Sequence, residues 1–266
     1  MRLIDTHNHL DWPAFDGDRE QVLAQARALG VARQVLIGVY QEQWQRLLQL
    51  ALAEPGLYGA LGLHPCYLAQ HRAGAVEALR LRLEQLAGHA KLCAIGEVGL
   101  DYYIPQPDKN QQQALFEDQV QLAMAFELPL LLHVRRAHAD VIATLKRYRP
   151  PRAGIVHAFS GSLEEAREYL RLGFLLGLGG AGTWPQAKRI QRVLRQLPLE
   201  AIVLETDAPD MPPSGYAGQR NSPELLPFIC QTLAEIRGVT AEQLAAATSD
   251  NAQRLFGWTP CQPDSQ

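Results

Sequence analysis

The chain has 266 residues, 47% hydrophobic and 20% charged, with a net charge of −3. This composition describes an ordinary globular protein with a sizeable core, as one large α/β domain or two small ones. The negative balance excludes bulk attraction to nucleic acid or an anionic membrane, so any phosphate-bearing substrate must be held locally, by a metal or a few arginines.

The cysteines, Cys66, Cys93, Cys230 and Cys261, show no C-x-x-C pairing and no regular spacing. They read as reduced thiols of a cytoplasmic protein, with Cys66 and Cys93 packed, and exclude a disulfide frame or zinc knuckle. Asp5, His7 and His9 interrupt the first apolar run before a signal-peptide core can form, and no window approaches the length of a membrane span.

In chain order, short apolar runs alternate with amphipathic segments. The first run, 2–4, is followed by a helical pattern over 19–29, the second, 34–39, by one over 43–53, and the third, 58–63, by a Leu- and Arg-rich helix over 75–86. Run 92–98 precedes a helix over 111–127 that begins behind Asp108, and runs 128–132 and 154–156 follow. Ser162-Leu163-Glu164-Glu165 is a capping box, and Gly173 stands where a C′ glycine ends that helix. Runs 174–178 and 201–204 come next, then a helix opened by Ser222-Pro223-Glu224 and a last one from Thr240 to about residue 256.

Several of the eight runs are continuous Val/Ile/Leu/Ala stretches without alternation, as in strands covered on both faces of a parallel sheet. Eight strands alternating with helices predict an α/β fold of the TIM-type (β/α)8 barrel class, with a doubly wound open sheet as the competitor. The barrel domain is expected over 1–257. A short tail is expected over 258–266, frayed from Gly257 onward and carrying Pro260 and Pro263.

The chemistry collects where the runs stop. His7 and His9 alternate with Asn8 and so share one face of a strand, with Cα atoms roughly 6–7 Å apart, close enough to converge on one ion. His64, Glu97, His133, His157 and Asp207 close later runs, and five of the eight histidines lie at such ends. A barrel gathers these ends at one mouth. His7, His9, Glu97, His133, His157 and Asp207 then form a nitrogen/carboxylate cluster too large for a closed structural zinc site and suited to one or two divalent ions with open positions. Glu97, with imidazoles on both sides in chain order, is the candidate bridge between ions. Asp207 is the candidate for orienting or deprotonating the attacking water.

The segments Asp5-Thr6-His7-Asn8-His9-Leu10, Gly62-Leu63-His64-Pro65, Gly96-Glu97-Val98-Gly99-Leu100-Asp101-Tyr102, His133-Val134-Arg135, His157-Ala158-Phe159-Ser160-Gly161, Leu204-Glu205-Thr206-Asp207-Ala208-Pro209 and Arg220-Asn221-Ser222-Pro223 together resemble the TatD family of metal-dependent hydrolases and deoxyribonucleases, of the amidohydrolase superfamily. The resemblance implies a distorted (β/α)8 barrel with metal ligands at His7, His9, Glu97, His133, His157 and Asp207, the set selected from the strand ends. Two departures stand out: Ala158 where the family often has Cys, and Val134-Arg135-Arg136-Ala137 where it often reads Ser-Arg-Asp-Ala.

Around the ions, His64, Arg135 and Arg220 are assigned to an anionic substrate group, since a guanidinium fork fits a phosphate. Asp101 is a candidate to orient a ligand imidazole, and Glu205 either does the same or forms a salt bridge. Trp12, Phe15, Tyr102, Tyr103, Phe159 and Trp184 follow strands and are candidates for base stacking. Arg147–Arg152 and Arg189–Arg195 read as solvated helix faces.

The expected function is a divalent-metal-dependent hydrolase using a metal-activated water, with Zn, Mn or Mg as the ion. The family resemblance implies a deoxyribonuclease acting on DNA or a small phosphodiester, by attack from the 3′ end. The alternative keeps the site and cleaves an amide, lactone or carboxylic ester; Glu97, standing where many bimetallic barrels carry a carbamylated lysine, speaks against it. A non-enzymatic metal-binding scaffold is the third reading, and the complete ligand set speaks against that.

Overall fold

Each apolar run becomes a strand in the computed structural model, which describes residues 1–259. The strands are β1 (Leu3–Asn8), β2 (Val31–Ile37), β3 (Leu57–Leu61), β4 (Leu92–Asp101), β5 (Leu130–Arg135), β6 (Gly154–Val156), β7 (Leu175–Leu178) and β8 (Ile202–Leu204). They pair in parallel in the order β1 to β8. The helices are α1 (Arg19–Ala28), α2 (Trp44–Ala53), α3 (Ala75–Gln85), α4 (Lys109–Ala125), α5 (His138–Tyr148), α6 (Leu163–Arg171), α7 (Lys188–Gln196), α8 (Leu226–Arg237) and α9 (Ala241–Phe256). This is the (β/α)8 barrel, and the open doubly wound sheet is excluded.

The strands are apolar on both faces because each face packs against something different. Ile4, Val35, Ile37, Ala60, Ala94, Leu131, Ile155 and Val203 belong to one buried cluster, which α9 joins through Ala252 and Phe256. Their strand neighbours, among them Leu3, Leu36, Leu61, Ile95, Leu132 and Leu204, belong to the larger cluster shared with the helices. The period of two thus survives as an inside/outside partition of apolar residues.

The capping box acts as expected at α6, and the structure shows a second one at the start of α9. Ser162 Oγ accepts from Glu165 N while Glu165 Oε2 accepts from Ser162 N, and Thr240 and Gln243 do the same. Gly173 follows α6 at φ 84°. Ser222 differs. It caps no helix N–H but donates to Glu224 Oε2 at 2.8 Å, residues Pro223–Leu225 form a 3-10 turn, and α8 starts only at Leu226.

Trp258, expected in a frayed tail, is packed. Its ring lies 4.5 Å from that of Phe256 and 4.1 Å from that of Tyr58, with the Arg33 guanidinium above it. Pro260, Cys261 and Pro263 lie outside the described residues. Among the described residues, no helix is long and apolar enough to cross a membrane.

Between β8 and β1 no ladder forms among the described residues. Side chains and loop amides close this seam instead. Asp5 accepts from Thr206 N at 3.0 Å and Thr206 Oγ1 at 2.6 Å, and Thr6 Oγ1 donates to Leu204 O at 3.0 Å. Past the end of β8, Asp207 N donates to His7 O at 2.8 Å, and past the end of β1, His9 N donates to Ala208 O at 2.7 Å. The seam therefore ties the His7/His9 segment directly to Asp207.

Candidate metal centre

The expected ligands converge at the C-terminal mouth of the barrel. Glu97 stands at the middle, and not at the end of its strand as the sequence suggested. β4 runs on to Asp101, and its pairing with β5 shifts register between Ile95 and Val98. That irregularity releases Glu97 from the β5 ladder; its amide donates to Gly38 O at 2.9 Å. Gly62 makes room for the turn of backbone, since a Cβ there would sit 2.6 Å from Gly96 C and 2.8 Å from Glu97 N.

The two oxygens of Glu97 face different imidazoles. Oε1 lies 2.9 Å from His133 Nδ1, 3.2 Å from His157 Nε2 and 3.3 Å from His64 Nε2. Oε2 lies 3.3 Å from His7 Nε2 and 3.9 Å from His9 Nε2. Asp207 Oδ1 is 3.6 Å from both His7 Nε2 and His9 Nε2. One half of the centre is thus His7, His9 and Asp207, the other His133 and His157, with Glu97 between. Within each of the sets His7/His9/Asp207 and Glu97/His133/His157, donor atoms lie within 4.8 Å of one another.

The rings are held from behind. His9 Nδ1 is 3.2 Å from Ile37 O, His133 Nε2 is 2.8 Å from Asp101 Oδ2, and His157 Nδ1 is 3.4 Å from Glu205 Oε1. Such partners set tautomer and ring orientation at metal sites. Both expectations for Asp101 and Glu205 thus find a neighbour: each faces an imidazole of the candidate ligand set. Glu205 also accepts from Ala158 N at 2.6 Å. Gly177 leaves it the space, since a Cβ there would lie 2.0 Å from Glu205 Oε2. His7 and His157 stack at 3.8 Å, and Trp12 lies against His9 at 4.6 Å.

Burial and charge oppose each other here. Burial pushes Glu97 up, but the pull of His64, His157 and His7 with the His133 hydrogen bond holds it well below the usual range. Burial pushes His157 down, yet the carboxylates of Glu97, Asp207 and Glu205 hold it well above an ordinary imidazole. Burial raises Asp207 and the neighbouring imidazoles more than offset this. Burial drives His64 down to about 4 against the pull of Glu97.

The donor set fits divalent cations. His7, 1% exposed, has neither ring nitrogen in a hydrogen bond, although Nε2 approaches Glu97 Oε2. A buried imidazole without partners is costly in a protein interior, and a cation between it and the carboxylates removes that cost.

The substrate candidates separate. His64 is buried beside Glu97, and its Nδ1 accepts from Cys66 N at 3.0 Å. Arg135 is exposed at the rim, 3.8 Å over the Tyr103 ring. Arg220 is committed elsewhere. Its fork donates to Asp18 at 2.6 and 3.0 Å and to Ala14 O, with Phe15 beneath it, so the long loop after β8 is tied to the loop before α1.

Phe15 and Phe159 are fully buried and cannot stack on a base; Tyr103 is 49% exposed. Cys66, expected to be packed, is exposed, and its thiol donates to Asp101 Oδ2 at 3.4 Å. Its place two residues after His64 was the available signal. Cys93 is buried as expected.

Residues 4–257 match the family model of the TatD-related DNases. The chain is 42% identical to the uncharacterized metal-dependent hydrolase YjjV of Escherichia coli K12, over 96% of this chain and 98% of that one. It is 35% identical to the 3′-5′ ssDNA/RNA exonuclease TatD of Cronobacter sakazakii, over 91% and 93% of the two chains. The crystal structure of the E. coli YjjV protein superposes with a TM-score of 0.93 at 41% identity, covering 97% of this chain and 99% of that one. With this sequence match, this barrel and a cation-binding donor set at its mouth, the chain belongs to the TatD-related DNase family of metal-dependent hydrolases.

Proposed function

We propose that the protein hydrolyses phosphodiester bonds at the 3′ end of single-stranded DNA, using two divalent ions held on either side of Glu97. The carrying observation is the division of the Glu97 oxygens, one facing His133 and His157 and the other facing His7 and His9. His7, His9 and Asp207 would hold one ion and His133 and His157 the other. Four imidazoles favour zinc or manganese over magnesium.

Such ions supply Lewis acidity and lower the pKa of water. The chain's own residues do the rest. Glu97 stays ionised and joins the two halves. The Asp207 carboxylate, with a side chain 15% exposed at the open face, takes the proton of the attacking water. Hydrogen bonds to Ile37 O and Asp101 fix the His9 and His133 rings, and Glu205 stands 3.4 Å behind His157, so geometry is set before substrate arrives. His64 carries a proton on Nε2, because its Nδ1 already accepts from Cys66 N. Arg135 supplies positive charge at the rim.

The relative from Cronobacter sakazakii, a 3′-5′ ssDNA/RNA exonuclease by name, supports the substrate and polarity. The test is metal analysis of the purified protein, then assay of chelated and metal-reloaded samples on single-stranded DNA, bis(p-nitrophenyl) phosphate and a lactone panel. Metal-dependent shortening of DNA from the 3′ end is expected. Lactone turnover without phosphodiester turnover refutes the reading in favour of carboxylic-ester chemistry.

A further inference from the structure

We propose that Tyr103, Arg135 and Arg136 form a second anion subsite on the barrel rim. It would take a backbone phosphate and a base of a single strand, upstream of the bond held in the centre. This rests on the phosphodiester reading above and extends it from the cleaved bond to the strand.

Three observations carry it. The first is that two consecutive arginines reach one ring. On an extended strand, neighbouring side chains point to opposite faces. Here Arg135 ends β5 and Arg136 turns into the left-handed region at φ 55°. The alternation is broken, and the guanidinium carbons lie 3.8 Å and 4.5 Å from the Tyr103 ring centroid. A left-handed backbone is uncommon for a non-glycine residue and concentrates at ligand-handling positions.

The second is that these charges are unspent. Arg19, Arg80, Arg147 and Arg220 each close on a carboxylate. Arg135 and Arg136 are exposed, and among the described residues neither has a carboxylate within ion-pair distance. An aromatic face satisfies none of the guanidinium N–H donors, so both forks keep their donors for a phosphate. In a chain of net charge −3, such a pair is the local attraction a polyanion requires.

The third is that the subsite is fixed to the centre. β4 and β5 pair Asp101 with Arg135, and Tyr102 N donates to Arg135 O at 2.9 Å. Asp101 Oδ1 accepts from Tyr103 N at 2.8 Å and Ile104 N at 3.2 Å, while its Oδ2 holds His133 at 2.8 Å. One carboxylate therefore positions both the Tyr103 turn and a ligand imidazole. Tyr103 is half exposed with both guanidiniums against its ring, so a base would stack on this Tyr–Arg platform, and stacking with phosphate contact is how single strands are held without sequence preference.

The experiment compares wild type, Arg136→Ala and Tyr103→Ala in the metal-loaded full chain, on a short single-stranded oligonucleotide and on bis(p-nitrophenyl) phosphate. All altered side chains are exposed, and circular dichroism checks the fold. For Arg136→Ala, the ratio of oligonucleotide to bis(p-nitrophenyl) phosphate kcat/KM should fall about 10-fold, through KM. The slope of log KM against log salt should drop by about 0.7, the value of one single-strand phosphate contact. Tyr103→Ala should raise the oligonucleotide KM without changing that slope. Wild-type KM and salt slope in both variants would overturn the subsite.

If the wild type cleaves no phosphodiester, the parent reading fails separately. Fluorescence anisotropy with a labelled oligonucleotide then decides the subsite. Binding weakened by Arg136→Ala supports it, and equal or absent binding overturns it.

Discussion

Replacing Asp101 by Asn is the sharpest test of how the centre is built. Oδ1 accepts from two backbone amides, Tyr103 N and Ile104 N, and Oδ2 accepts from His133 Nε2 and the Cys66 thiol. An asparagine has the same shape but only one acceptor oxygen. Turned one way, its NH2 faces the His133 N–H; turned the other, it faces the two amides. Either orientation sets donors against donors in a buried place.

A buried donor left without a partner costs about 1–3 kcal/mol. Loss of a carboxylate behind a ligand histidine typically lowers metal affinity by about 10–100-fold, or roughly 1.4–2.7 kcal/mol. Asp101→Asn should therefore weaken metal binding by that factor, measured by chelator competition. It should also lower the Tm of the chelated protein by roughly 2–4 °C for each kcal/mol lost. Metal affinity equal to wild type would refute the claim that Asp101 sets the His133 ring.

Glu97→Gln should leave the fold intact by circular dichroism and abolish both the bound metal and turnover; full turnover would make Glu97 structural only. In the wild type, metal at a hundred times its Kd should raise stability by about 2.7 kcal/mol, a gain absent from Glu97→Gln in differential scanning calorimetry.

Burial lowers His157 and His133, but their carboxylate neighbours hold both above the ordinary imidazole value. Cations must displace those protons, so metal affinity should fall as pH drops below these raised values. Calorimetry at neutral pH in buffers of different ionisation enthalpy should register proton release; buffer-independent heats would contradict it. Arg220→Ala removes an exposed pair with Asp18, so urea melts should show a loss of no more than about 1 kcal/mol.

Much of this protein is legible without coordinates. The strands could be read because apolar runs of three to seven residues, each bounded by polar turns, have few other structures open to them. The cap at Ser162 formed as read because it needs only atoms three residues away. The six ligand candidates could be picked out because a barrel sends all its strand ends to one mouth, so polar residues at those ends meet whatever the loops do.

What tertiary structure alone decided depends on contacts between distant segments. The register shift after Ile95 put Glu97 inside β4, with one oxygen for each half of the centre. The β8–β1 seam closed through Asp5 and Thr206, 201 residues apart, and no local pattern announces such a bond. Arg135 and Arg220 looked alike as phosphate forks in the sequence. The fold placed Asp18 within reach of one and left the other over an exposed tyrosine, because ion pairing depends on who arrives nearby and not on the residue itself.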